Sequence, residues 1–437
     1  MSAKIFATTQ IDGDDPHIYS KKIPTILPYS FLRMNNANTF SEEEQKQLPN
    51  TECPTYMNPQ ELHGFIFSNK AAILHNLCLG MNREEGHIEY LNADEEKQMT
   101  SLMLKMAAKL GKNIFTLNIV NFSLPCEIFE PRSDVDRIAE LVRTLSIPLM
   151  KAWKTNDKLE RMKLITANLA GSGYILLRKK KAMNPYLGET CQAKLDDGTD
   201  ISVEQISHHP PITAFYFVGP EKAYTVSGTF SFEGSFKVTY LLIDFCLKMN
   251  FRFKDGHEIK LIRRPKVKIE GIVKGSRYVF LKGFQEIIDA SESLRSILFF
   301  DIGEKKHLIG SAKTATRDCV EGIIYLSSDI NKPTDMKVRR ISELKDIKEE
   351  KAKIKGSWFD KIDINDMNYW HIDKHLPMKM SFVTDPLPSD WRYREDLLFI
   401  RRKDIPRADI WKDACEIRQR KDKALREKFL KKYFIFN

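Results

Sequence analysis

Nowhere among its 437 residues does the chain offer a run of about 18 apolar positions, and Met1-Ser2-Ala3-Lys4-Ile5-Phe6 opens no hydrophobic stretch of signal-peptide length. A membrane-spanning helix and an export signal are therefore not expected. Cysteine is sparse as well. The seven thiols, Cys53, Cys78, Cys126, Cys191, Cys246, Cys319 and Cys415, are odd in number and show neither Cys-x-x-Cys pairs nor zinc-type spacing. This argues against a disulfide framework or structural zinc and for a reduced, cytoplasmic setting. Missing too are a His-Cys-x5-Arg loop, a His-Glu-x-x-His helix, zinc-finger spacing, an RNA-recognition aromatic motif and a helix-turn-helix. Phosphatase, metallohydrolase and nucleic-acid-binding readings thus lose their usual signatures. No internal repeat of about 20 to 50 residues is visible.

What is present is positive charge and β-type patterning. The formal net charge is +10, and residues 401–437 alone hold 13 Lys or Arg against 6 Asp or Glu. An anionic partner is expected, with nucleic acid, acidic lipid or plain solvation all open on charge alone. Pro24, Pro28, Pro49, Pro54 and Pro59 interrupt any period in residues 1–93, an extension to which the sequence assigns no role. Met99, Leu102, Met103, Met106 and Leu110 recur at helical spacing. Val135, Ile138, Ala139, Leu141, Val142 and Leu145 predict a helix that Pro148 ends, with a second helix to about Leu169. From 174 to 327 short β-branched runs alternate with turns at Gly219-Pro220, Glu233-Gly234 and Asp255-Gly256. Strands are predicted at Ile212–Val218, Tyr224–Phe230, Phe236–Ile243, Val267–Val273 and Tyr278–Leu281, in an antiparallel sheet or barrel. Residues 328–350 read as a loop before a strand at Ile354–Trp358, and the chain turns helical from about 390.

The densest local signal is Glu204-Gln205-Ile206-Ser207-His208-His209-Pro210-Pro211-Ile212. Two prolines stiffen this corner and hold His209 extended, so the chain cannot continue as helix. Metal chelation or Ser-His catalysis would want spaced ligands or a nearby nucleophile. Two imidazoles aimed at one large anion suit the residue types better. Lys412, Glu416 and Arg420, spaced four and four, fall on one side of a helix, an arrangement that by itself amounts to surface salt bridges of ~0.3–0.5 kcal/mol each.

This corner resembles the fingerprint of the oxysterol-binding protein family of lipid-transfer proteins. Two further segments resemble that family in order and spacing. Lys181-Ala182-Met183-Asn184-Pro185-Tyr186-Leu187-Gly188-Glu189 is similar to its Lys-x-x-Asn-Pro-x-Leu-Gly-Glu segment, and Lys412, Glu416, Gln419 and Arg420 are similar to its Lys-x-x-x-Glu-x-x-Gln-Arg helix. Ala182-Met183 stand where many relatives have proline and leucine. The similarity covers roughly residues 95 to 432.

The resemblance implies an α+β fold: a large incomplete antiparallel β-barrel enclosing a lipid tunnel, with an N-terminal lid and flanking helices. The implied division is 94–116 lid, 117–172 helical segment, 173–360 barrel and 361–437 C-terminal helical region. It implies that Lys181, His208, His209, Lys412 and Arg420 contact the phosphates of phosphatidylinositol 4-phosphate and that Asn184 reaches the inositol. Glu416 would hold the two helical cations, and Glu189 would support the entrance. Met99, Leu102, Met103, Met106 and Leu110 would form the lid's apolar face. Exchange against a second lipid is expected, sterol first and phosphatidylserine next, by a monomer without cofactor or metal that meets anionic membranes or membrane contact sites peripherally. A phosphoinositide sensor and a phosphoinositide hydrolase are the alternatives. Phe299-Phe300-Asp301 superficially suggests the family's endoplasmic-reticulum attachment motif, but the acidic lead-in is missing and a buried strand, Ile297–Ile302, explains the residues better.

Overall fold

A computed structural model describes residues 79–82, 87–90, 97, 100–101, 124–176, 180–208, 210–236, 240–271, 277–302 and 317–433. The lid residues Met99, Leu102, Met103, Met106 and Leu110, and also His209, lie outside the described residues.

Helix α1 (Asp134–Lys154) follows directly from the apolar stripe Val135, Ile138, Ala139, Val142 and Leu145. Asp134 and Asp136 in its first turn and Lys151 and Lys154 in its last complement the helix dipole. The expected stop at Pro148 is corrected: the helix runs through it. An interior proline costs about 3 kcal/mol. Here Leu145, Leu149 and Ala152 on both sides of it are buried in the same core, which offsets that cost. Helix α2 (Lys158–Gly171) starts at Asp157, whose Oδ1 accepts from the amides of Leu159 and Glu160 at 2.9 and 3.2 Å.

The remainder is mainly one antiparallel sheet of 16 strands. Its path begins with β18 (Met380–Phe382), β5 (Thr190–Leu195), β6 (Asp200–Ser207), β7 (Ile212–Val218), β8 (Tyr224–Phe236), β9 (Tyr240–Phe253) and β10 (Glu258–Arg263). It continues through β12 (Tyr278–Asp289), β13 (Leu294–Phe300), β14 (Cys319–Ser327), β15 (Ile347–Ser357), β16 (Lys361–Ile364) and β17 (Met367–His371). Strand β11 (Lys266–Glu270) bridges β9 and β12. The end strands β17 and β18 do not pair with each other, so the barrel-like sheet stays open. Helix α1 packs on β5 to β8, α2 packs on β12, β13, β16 and β17, and the helices pack on each other. The helical pair thereby spans both halves of the open sheet.

Several boundaries move. The turn expected at Glu233-Gly234 lies within β8, because pairing runs unbroken from Tyr224 opposite Phe253 to Phe236 opposite Leu241. Continuous cross-strand pairing overrides the local glycine signal. Strands continue past residue 360 to Phe382, and the helical region begins only at α3 (Glu395–Arg401) and α4 (Ile405–Tyr433). Within residues 1–93, β1 (Leu79–Asn82) and β2 (His87–Tyr90) form a hairpin that joins the sheet on β12. Phe299 and Phe300 are buried on β13, consistent with a strand and not with an exposed attachment motif.

Candidate functional site

The site grows from a short parallel pair. Strand β4 (Lys181–Met183) lies beside β3 (Phe129–Ser133), with Lys181 opposite Phe129. The Lys181 ammonium donates to the Asn184 side-chain oxygen and to the Ala182 carbonyl at 3.1 Å, and stands 4.0 Å from Asp134 Oδ2. It also lies 4.7 Å from the Phe232 ring centroid and 5.4 Å from that of Phe129. A half-exposed cation thus sits on the aromatic faces of Phe129 from β3 and Phe232 from β8.

Phe232 belongs to an apolar wall. It pairs with Phe245 on β9, Gly234 pairs with Ile243, and β11 extends the same face through Val267 and Ile269. Alternate residues of a strand share one face. Along β9 that face is buried at Leu247, Met249 and Phe251 and only half-buried at Leu241, Ile243 and Phe245. An apolar surface left half-open beneath an ammonium can take up an amphiphile, with hydrocarbon on the wall and an anionic head at the rim.

The loop after β4 is fixed by a buried polar knot. Arg394 Nη1 donates to the Asn184 carbonyl at 2.9 Å and to Glu189 Oε2 at 3.0 Å, while its Nε and Nη2 reach Asp396 at 3.1 and 2.8 Å. Its guanidinium covers the Tyr186 ring at 4.1 Å, and the Tyr186 hydroxyl donates to Asp396 at 2.9 Å. Glu189 also accepts from Ser133 Oγ and from the Tyr186 amide. Burial raises the Glu189 carboxyl, with Arg394 and these donors pulling against it. Glu189 is therefore a buried anchor of the loop.

Hydrogen bonds then carry this loop to the histidine corner. The Gly188 amide donates to the Gln205 carbonyl at 2.8 Å and the Gln205 amide to the Glu189 carbonyl at 2.9 Å. Gln205 closes the turn between β6 and β7: its Nε2 donates to the Ser207 carbonyl at 2.7 Å, and its Oε1 accepts from Thr213. His208 is half-buried in that turn.

Helix α4 completes the cluster from the other side. Its Asp409 accepts from the Cys126 amide at 2.7 Å, just before β3. Arg426 lies against Gly188, where an added Cβ would stand 2.8 Å from Nη2. Lys412 is buried and ion-paired with Glu416 at 2.5 Å, whereas Arg420 is exposed. Eight residues of helix rotate a side chain by about 80°, which carries Arg420 off the packed face that holds Lys412. The structure thus joins Lys181 to Asn184 and Lys412 to Glu416. It links the loop, the histidine corner and α4 through Glu189, Gln205 and Arg426.

The model of the family described as oxysterol-binding protein matches residues 106–435. The chain belongs to the oxysterol-binding protein family. Among this family's members it is 28% identical over 347 residues to oxysterol-binding protein 9 of Dictyostelium discoideum, spanning 77% of this chain and 78% of that protein. It is 25% identical over 315 residues to oxysterol-binding protein-related protein 8 of Homo sapiens, spanning 70% of this chain but 32% of that longer protein. Solved structures share the fold. The Osh3 ORD in complex with PI(4)P from Saccharomyces cerevisiae aligns with a TM-score of 0.55 at 18% identity, over 74% of this chain and 84% of that one. The Osh1 ORD in complex with ergosterol aligns with a TM-score of 0.56 at 18% identity, over 79% and 91%.

Sequence reasoning missed the part of Arg394, Asp396 and Arg426 in holding the loop after β4, since nothing local marks them. Tyr186 and Gln205 lie inside the motif peptides and could have been singled out. Among the described residues no helix is long and apolar enough to cross a membrane, and no group of three His, Cys, Asp or Glu is placed to hold a metal ion.

Proposed function

We propose that the protein is a non-vesicular lipid carrier that withdraws phosphatidylinositol 4-phosphate from one membrane and exchanges it for a second lipid, sterol first and phosphatidylserine next. The observation that carries this reading is the Lys181 ammonium resting on Phe232, at the upper edge of the half-buried apolar wall. Neighbouring folds solved with PI(4)P, cholesterol and ergosterol support the choice of cargo. In this reading Lys181, His208, His209, Lys412 and Arg420 donate to the phosphates, Asn184 orients the inositol, and Glu416 holds Lys412 in place.

Each acyl CH₂ covered by the wall is stabilised by ~0.8 kcal/mol, which offsets extraction from the bilayer. Two cargoes competing for one space are thermodynamically linked, so a gradient of the phosphoinositide can drive the other lipid uphill. Mass spectrometry of co-purifying lipids tests the assignment. Loss of phosphoinositide with retention of the second cargo is expected on His208→Ala with His209→Ala; equal loss of both would make the histidines folding residues. Incubation with labelled phosphatidylinositol 4-phosphate separates the hydrolase alternative: the carrier returns intact lipid, an enzyme releases phosphate.

A further inference from the structure

Arg264 sits in the break between β10 and β11, while β9 runs past both. On β9, Leu261 of β10 faces Met249 and Val267 of β11 faces Ile243, an even number of residues apart, so both side chains lie on the inner face. The chain bulges between them, and Arg264 enters the interior there, 6% exposed. Its surroundings are apolar. A Cβ built on Gly173 would stand 3.1 Å from Leu281, 3.5 Å from the Trp358 ring and 4.0 Å from Arg264 Nη2.

No described residue pairs with this guanidinium. Burial alone pulls its pKa down to about 10, with no neighbouring charge acting on it. The contrast within the molecule is sharp, for buried Arg161, Arg295, Arg392 and Arg394 each pair with a carboxylate. Beside it, the Trp358 indole N–H, 1% exposed, also has no acceptor among the described residues. A guanidinium keeps its five donors at any accessible pH, so a buried one calls for an acceptor. No described residue supplies that acceptor.

We propose that Arg264 and Trp358 form a second, interior subsite on the inner face of the sheet, which takes the carboxylate of a single-chain amphiphile such as a long-chain fatty acid inserted acid end first. One cation in apolar surroundings matches a monoanion, whereas a phosphate dianion calls for the several donors of the rim. The planar fork of arginine fits a carboxylate through two parallel hydrogen bonds, and Leu281 and Val267 alongside suit hydrocarbon. This subsite is independent of the phosphoinositide reading.

The test titrates the delipidated full-length protein with oleate and with oleyl alcohol, both delivered from cyclodextrin. Wild-type protein binds oleate at least about tenfold tighter than the alcohol. In Arg264→Met that preference disappears, and the unliganded variant melts no lower than wild type because an uncompensated charge has been removed. Arg264→Gln supplies the same readout if the methionine variant does not fold. Equal affinity of wild-type protein for the two probes, or an oleate preference surviving in a folded variant, overturns the proposal.

Discussion

Arg394 does more to shape the site than any residue expected to touch a ligand. It satisfies Glu189, Asp396 and the Asn184 carbonyl at once, and both charged partners are buried. Arg394→Leu leaves two buried carboxylates without their cation, and a loss of about 3–5 kcal/mol in denaturant unfolding is expected. A second buried network has a readable pH signature. Glu140 is desolvated, which raises its pKa, but Arg132 at 2.7 Å and Arg137 at 2.6 Å outweigh this and hold it well below the usual carboxylate range. A depressed native pKa contributes stability that is complete above the unfolded value of about 4.3 and lost as pH falls below it. Urea midpoints of Glu140→Gln should therefore vary less than wild type between about pH 5 and 2. Such residues were illegible beforehand. Lys181 and Asn184 meet across three positions, but Arg394 reaches Glu189 across 205, and no local pattern encodes that approach.

At the level of elements, the loop between β4 and β5 depends on Gly188. Its φ of +83° favours glycine, and the space a side chain would take is occupied by Arg426 of α4. Gly188→Ala should cost about 1–2 kcal/mol and displace Arg426. Hydrogen exchange should then quicken in α4 around residues 420–428; unchanged protection there would mean that the loop and helix are not coupled at this point. Element identity was legible where local and tertiary demands agree, as in β7, found at the expected Ile212–Val218, and in the turn at Gly256, φ +87°. It failed where packing overruled the local signal. Pro148 stays inside α1, Glu233-Gly234 stays inside β8, and strand pairing carries the sheet on to Phe382.

Taken whole, the described residues form an open sheet of 16 strands whose two halves are spanned by one helical pair, with a half-open apolar wall below Lys181. Three ordered sequence motifs made the family legible, because each is a local peptide. The wall was not, because it is assembled from β8, β9 and β11 through cross-strand register. The central claim is that cationic rim and apolar wall act together as a carrier. Real-time transfer of labelled phosphatidylinositol 4-phosphate between donor and acceptor vesicles tests it most directly, comparing wild type with Lys181→Met and Phe232→Asp. The account predicts catalytic amounts of wild-type protein to equilibrate the lipid intact, with both variants slowed at least about tenfold, as expected for a lost charge-assisted contact or a charged group set in the wall. Transfer at the wild-type rate by both folded variants, or no transfer by wild-type protein, would contradict it.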